Sequence, residues 1–304
     1  MKLPLIIIFF LITNSAIANS IDSILNDNDV LTFLKRIDKR FTSDKYRQLK
    51  IFPTDTIRQR LNCDSIAEKW NINNWEKIDF NGDNKTDLIV TTFWYNFDVF
   101  VAIDKGDNTY QLIQLSNIIS RNCEIGKPIK INSEQLLLFF RIRNEYDEDA
   151  EKNFSFKLKS RIDTLVYKFG GFIEKQKTTV LYDISEIEYH TLSSWTGISP
   201  IFKLKISSTG KATFEAISEN SKKVIPPRST NKDNVKSIVD LVQYINIKTL
   251  RNKYSVAWSD DTTMYIKITF RDGTVKQIED YGLTGTFGLR QLYQLLLMLN
   301  STNS

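Results

Sequence analysis

Leu88-Ile89-Val90-Thr91-Thr92-Phe93, then Trp94-Tyr95-Asn96, then Phe97-Asp98-Val99-Phe100-Val101-Ala102-Ile103, is the stretch that decides the fold. Both outer runs are β-branched and aromatic, which suits a pleated surface, and the short segment between them reads as the turn of a strand pair. Further strands are expected at residues 110–113, 128–131, 136–142, 162–169 and 172–175, the last two meeting at Gly170-Gly171. Upstream, Val30, Leu31, Phe33, Leu34 and Ile37 recur at helical spacing after the cap signal Asp27-Asn28-Asp29, and one or two short helices are expected within 55–70. The first part of the chain therefore reads as helices followed by an antiparallel sheet.

The same logic restarts near residue 180. Glu186-Ile187-Glu188-Tyr189-His190-Thr191 alternates with period two, placing Ile187 and Tyr189 on one face and Glu186, Glu188 and His190 on the other. Phe202-Lys203-Leu204-Lys205-Ile206 alternates as well, Ser208-Thr209-Gly210-Lys211 is a hairpin turn, and 212–216 returns. Pro226-Pro227 is expected to interrupt. Thr230 and Asp233 resemble a capping box for a helix lined by Val235, Ile238, Val239, Val242 and Ile245. A second hairpin, turning at Asp272-Gly273, precedes a Leu-rich helix at about 289–300. The expected fold class is α+β, with two domains at 19–180 and 181–304, each a mainly antiparallel sheet with a few helices; the second runs as an opening strand, then ββ-α-ββ-α.

Composition narrows function. Among 304 residues there are 41 Lys+Arg, 36 Asp+Glu, one His and two Cys. A lone histidine, His190, excludes any metal site that needs two imidazoles and leaves one base for every Ser-His or Cys-His scheme. Residues 1–18 read as a signal peptide: Lys2, an apolar run of about ten, and Ala16-Ile17-Ala18 before a mature start at Asn19. No apolar run of about 20 exists to span a bilayer, so no membrane span is expected after cleavage. Losing Lys2 takes the net charge from +5 to +4, spread without a basic block, which disfavours nucleic acid as a partner. In an oxidising compartment Cys63 and Cys123 are expected to pair, the alternative being two separate buried thiols.

The strongest chemical signal is Asp79-Phe80-Asn81-Gly82-Asp83-Asn84-Lys85-Thr86-Asp87. Side-chain oxygens of Asp79, Asn81, Asp83 and Asp87, with the backbone carbonyl of Lys85, can converge on one hard cation if the loop curls, and this donor set favours Ca²⁺. An EF-hand needs Gly at 84 and Glu at 90, where this chain has Asn84 and Val90, so that motif is absent. With Leu88, the nonapeptide resembles the calcium loop of the FG-GAP and VCBS repeat families, Asp-x-Asn-Gly-Asp-Gly-x-x-Asp-Leu, with Asn84 in place of the second Gly. The resemblance implies a structural calcium ion on Asp79, Asn81, Asp83, Lys85 and Asp87, the alternative reading of the residues being an Asx-rich turn that caps the strand without metal. It occurs once and implies no propeller.

Residues 187–299 resemble a domain-of-unknown-function family of exported bacterial proteins that carries Cys-Phe-Gly-x-Cys-Pro-x-Tyr. Here Gly197-Ile198-Ser199-Pro200-Ile201-Phe202 keeps the Gly, the Pro and an aromatic, whereas Trp195 and Ser199 stand in the cysteine positions. Any redox role of that motif therefore does not transfer, and the resemblance implies an exported α+β domain.

Four further features have ordinary structural readings beside sharper ones. Gly282, Gly285 and Gly288 read as a strand-to-helix turn rather than a nucleotide loop. The run Glu145-Tyr146-Asp147-Glu148-Asp149-Ala150-Glu151 reads as a solvated loop rather than a second cation site. Phe93, Trp94, Tyr95 and Phe97 read as core or cross-strand partners rather than a sugar platform. His190 beside Thr191, Ser193 and Ser194 lacks a nucleophile elbow and reads as structural. The expected function is that of an exported non-enzymatic binding protein of the periplasm or cell surface, taking an unknown protein or glycan at the envelope. The alternatives are a secreted glycosidase-like hydrolase using two carboxylates, and an inhibitor or immunity-type protein.

Overall fold

The structure, a computed structural model, describes residues 20–43, 47–61, 63, 65–116, 121–146, 156–192, 202–218, 221–228, 232–256 and 259–301. The expected signal peptide, the 195–201 motif, Thr230 and the serines 193 and 194 lie outside the described residues, as does most of 145–151. The first helix, α1 (Asp27–Ile37), starts at the expected cap signal, but its N-cap is Asn26, one residue earlier. Asn26 Oδ1 accepts from the Asn28 and Asp29 amides at 3.0 and 3.1 Å while Asp29 reaches back to the Asn26 amide, a capping box. Three short helices follow: α2 (Arg40–Ser43), α3 (Thr54–Arg60) and α4 (Ile66–Lys69).

The strands after α4 form two antiparallel four-stranded sheets where the sequence suggested one. The first runs β1 (Trp75–Ile78), β2 (Asp87–Phe93), β3 (Phe97–Gly106), β4 (Thr109–Gln114), and the second β5 (Arg121–Ile131), β6 (Glu134–Tyr146), β7 (Phe156–Lys168), β8 (Gly171–Glu174), each in sequence order. Alternation then builds four layers. Ile89, Val99, Val101 and Ile103 of the first sheet face Leu137, Phe139 and Leu165 of the second, whereas Leu88, Val90, Phe100 and Ala102 turn to Val30, Phe33, Leu34 and Phe41. The outer face of the second sheet, Ile125, Phe140 and Ile142, packs on Ile57, Ala67 and Ile72. Burial on both faces explains the unbroken apolar runs of β2 and β3. A disulfide joins Cys63, beside α4, to Cys123 on β5, both buried in that last layer.

The C-terminal half carries β9 (Ile184–Leu192), β10 (Phe202–Ser207), β11 (Ala212–Ser218), β12 (Ser221–Arg228), α5 (Lys232–Tyr244), a 3-10 turn at Ile247–Thr249, β13 (Lys253–Tyr254), β14 (Thr263–Phe270), β15 (Val275–Tyr281) and α6 (Phe287–Ser301). Its seven-stranded sheet has the order β12-β11-β10-β9-β14-β15-β13, antiparallel except for β13 against β15. One face is covered by Val235, Ile238 and Val242 of α5 and Leu289, Leu292 and Leu296 of α6, and the other carries charge. Pro226-Pro227 does not end the sheet as expected: both residues lie in β12, an edge strand, at a bulge where the register with β11 shifts between Phe214↔Ile225 and Ala212↔Arg228. The α+β class with two domains holds. Among the described residues no helix is long and apolar enough to cross a membrane.

Candidate functional site

The loop between β1 and β2 folds around its own backbone. Asp79 accepts from the Gly82 and Asn84 amides at 2.8 and 2.9 Å, Asn81 from the Asp83 amide at 3.0 Å, and Asp83 from the Lys85 amide at 2.9 Å. Gly82 (φ +73°) and Asn84 (φ +65°) both take the left-handed conformation, so Asn84 does what the second Gly of the resembling loops would do. Asn81 is half-buried, and Gly82, Asp83, Asn84 and Lys85 are exposed.

Asp87 points elsewhere. It is fully buried, and its two carboxylate oxygens accept from the Phe80 amide at 2.8 Å and the Asp104 amide at 2.9 Å, pinning the loop to β3. Burial, with the negative charges of Asp79 and Asp83 adding to it, pushes its carboxyl up to about 6 against the lowering effect of those two amides. Burial also raises Asp83, but the Lys85 amide and ammonium outweigh it and hold Asp83 below the usual range; the Lys85 Nζ lies 3.1 Å from Asp83 Oδ2. The loop thus brings Asp79, Asn81 and Asp83 around one exposed turn and sets Asp87 beneath it. Among the described residues no three His, Cys, Asp or Glu side chains are gathered into a metal cage. The donors nevertheless fit a hard cation in kind: they are all oxygens, and a carboxylate keeps lone pairs beyond one or two N–H bonds.

The other singled-out residues have structural partners. Phe93 packs edge-on to Phe97 and Phe52 at centroid distances of 5.2 and 5.6 Å, and Trp94 meets Phe41 while its indole N–H donates to the Arg47 carbonyl. His190 stacks on Tyr265 at 4.6 Å, and burial followed by the Lys203 charge holds its imidazole below the usual value. The glycine series makes the turn into α6. Gly285 donates to Asp280, and Phe287 and Gly288 donate to Glu174 at 2.7 and 2.9 Å, so a carboxylate from β8 caps α6 across the two halves.

One constellation went unread in the sequence. A cavity of about 180 Å³ opens between the second sheet and the C-terminal half, lined by Arg141 and Arg143 of β6, Arg161 of β7, and Arg251 and Lys253. Arg141 and Arg161 are directly opposite in register, and Arg143 lies two residues along on the same face. Arg141-Ile142-Arg143, two cations flanking a core residue in an apolar strand, is the signal that could have found it.

Residues 186–300 match a domain of unknown function, DUF6438. That span covers the seven-stranded sheet with α5 and α6, and it supports an unknown-function family over the C-terminal half, where the sequence resemblance placed one. No curated protein and no solved structure matches the chain.

Proposed function

We propose that the protein is an exported, non-enzymatic binding protein of the periplasm or cell surface, with a structural calcium ion on the loop 79–87. The observation that carries the reading is the position of that loop: its acidic turn faces solvent, and none of its residues lines a described pocket. An ion there would stiffen the turn that enters β2 rather than act on a substrate. Asp79, Asn81, Asp83, the Lys85 carbonyl and Asp87 would hold it, and calcium would supply charge neutralisation for acids that repel one another. Export is supported by the Lys2, apolar-run and Ala16-Ile17-Ala18 sequence together with a disulfide, which persists in oxidising compartments. The DUF6438 region brings no activity with it, and the lining of the described pockets contains no pair of carboxylates of the kind a glycosidase needs.

A pull-down from envelope extract, with and without chelator, tests the reading. Specific retention of an envelope protein or glycan that weakens in chelator is expected; hydrolysis of glycoside substrates by the purified chain would replace it with the hydrolase reading.

A further inference from the structure

A groove of about 410 Å³ opens inside the C-terminal half, between the start of α5 and the sheet. Its floor is aliphatic: Ile184 and Ile187 of β9, Ile206 of β10, and Val235 and Val239 of α5. Farther along the helix Ile238, Leu241 and Val242 are fully buried against the sheet. Val239, expected on the core face, is only half-buried, as are Ile184 and the neighbouring Tyr182. The helix therefore seals the sheet on one side and leaves a gap on the other, where Lys232, Val235, Lys236 and Val239 share a stripe at helical spacing. The β10–β11 turn closes one end of the gap, with Gly210 (φ +77°) placed so that a Cβ there would lie 3.8 Å from Val235 Cγ1.

Protein interiors bring aliphatic groups into contact, so β-branched side chains held apart around a gap lack the apolar atoms that would complete their packing. The volume falls within the range of small-ligand pockets, about 300–1,000 Å³. The rim supplies the polar part. Its carboxylate, Asp183, pairs with Arg271 at 2.9 Å, Lys236 is taken up by Asp240, and Asp233 has a partner of its own. Lys232, exposed on the same rim, makes no ion pair or hydrogen bond among the described residues. The charge left over at the mouth is thus a single ammonium, with the Ser208 and Thr209 hydroxyls beside the groove as further hydrogen-bond groups.

We propose that this groove binds an aliphatic chain carrying one anionic head, a medium-chain carboxylate, with the chain among the five Ile and Val side chains and the carboxylate at Lys232. An ammonium is a point charge on a flexible stem, which suits one small anionic head at a wet rim, while the chain gains by leaving water. This names a ligand class for the binding reading above, rests on that reading only for the lack of turnover, and is independent of the calcium loop: the envelope pull-down and the titration below can fail separately.

The test is isothermal titration of the full chain, in chelator, with butanoate, hexanoate and octanoate, and with octanol as the uncharged probe. Saturable binding that tightens about fourfold for each added methylene is expected. Lys232→Gln should weaken octanoate about threefold and leave octanol unchanged, whereas Val239→Gln should weaken both. Unchanged melting temperatures without ligand confirm that the variants fold. In wild type, octanoate should shift the methyl resonances of Val235 and Val239 and not those of Val99 and Val101 in the first half, a readout that needs no variant. No saturable heat with octanoate, affinity independent of chain length, or equal octanoate affinity in wild type and both variants overturns the site. Sedimentation with phosphatidylglycerol vesicles in the absence of octanoate binding would assign the groove to membrane lipid and overturn the free ligand, and a dimer that forms in place of octanoate binding would overturn it equally.

Discussion

Lys85 and Asp87 play opposite parts in the loop 79–87. Lys85 places an ammonium on Asp83, so it would compete from within the loop with the proposed calcium ion. Lys85→Met is expected to tighten calcium binding severalfold in a titration, while Asp83→Ala removes it. Asp87 acts on the fold in either case, because both its oxygens accept buried amides. Asp87→Asn turns one acceptor into a donor facing an N–H, and chemical denaturation should report a loss of about 1–3 kcal/mol. The spacing of Asp79, Asn81, Asp83 and Asp87 was readable because loop donors follow one another in sequence. The inward turn of Asp87 was not, since it depends on the Asp104 amide, 17 residues away on β3. Arg161 was equally hidden: nothing local says it will stand opposite Arg141. At Gly288 a Cβ would come 2.5 Å from Ile245 Cγ2, so Gly288→Ala should cost about 1–3 kcal/mol, read as a lower melting temperature.

At the scale of elements, α6 depends on a carboxylate from another sheet. Glu174 accepts from the Phe287 and Gly288 amides at the positive end of a 15-residue helix. Glu174→Ala should destabilise by about 1–2 kcal/mol and raise amide exchange in the first turn of α6 more than in α5. Helices and long strands were legible because period and composition are local; α1 and α5 appear where the apolar spacing put them. Pairing was not. β4 and β5 are neighbours in sequence yet belong to different sheets, and β12 accommodates two prolines at a bulge in an edge strand. β1, only four half-buried residues, has too little pattern to mark it.

Across the whole molecule, the halves are locked by the Glu174 cap, by Gln291 on the Phe169 carbonyl at 2.7 Å and by Ile173 in the C-terminal core. The disulfide spans a sequence separation of 60, and closing a loop of that size is worth about 4 kcal/mol in chain entropy. A Cys63→Ser/Cys123→Ser double variant should lose about 2–4 kcal/mol, and denatured, unreduced wild type should titrate no free thiol. Stability should also follow pH in two opposite stretches. Burial lifts Asp280 from 3.8 to about 6, so the folded state takes its proton first and stability rises as pH falls from about 7 to about 4. Glu188 is held down to about 2, first by its hydrogen bond from Lys267, so its contribution is present above about 4.5 and lost as pH falls toward 2. Melting temperature should therefore peak where these windows meet, and Asp280→Asn should reduce the slope of the upper one, leaving the part due to Asp87, which burial also lifts to about 6. The central claim, a calcium-stiffened binding protein, is tested most directly by isothermal titration of the mature chain with Ca²⁺: one saturable site per chain that Asp83→Ala removes is predicted, and no heat at millimolar calcium would contradict it.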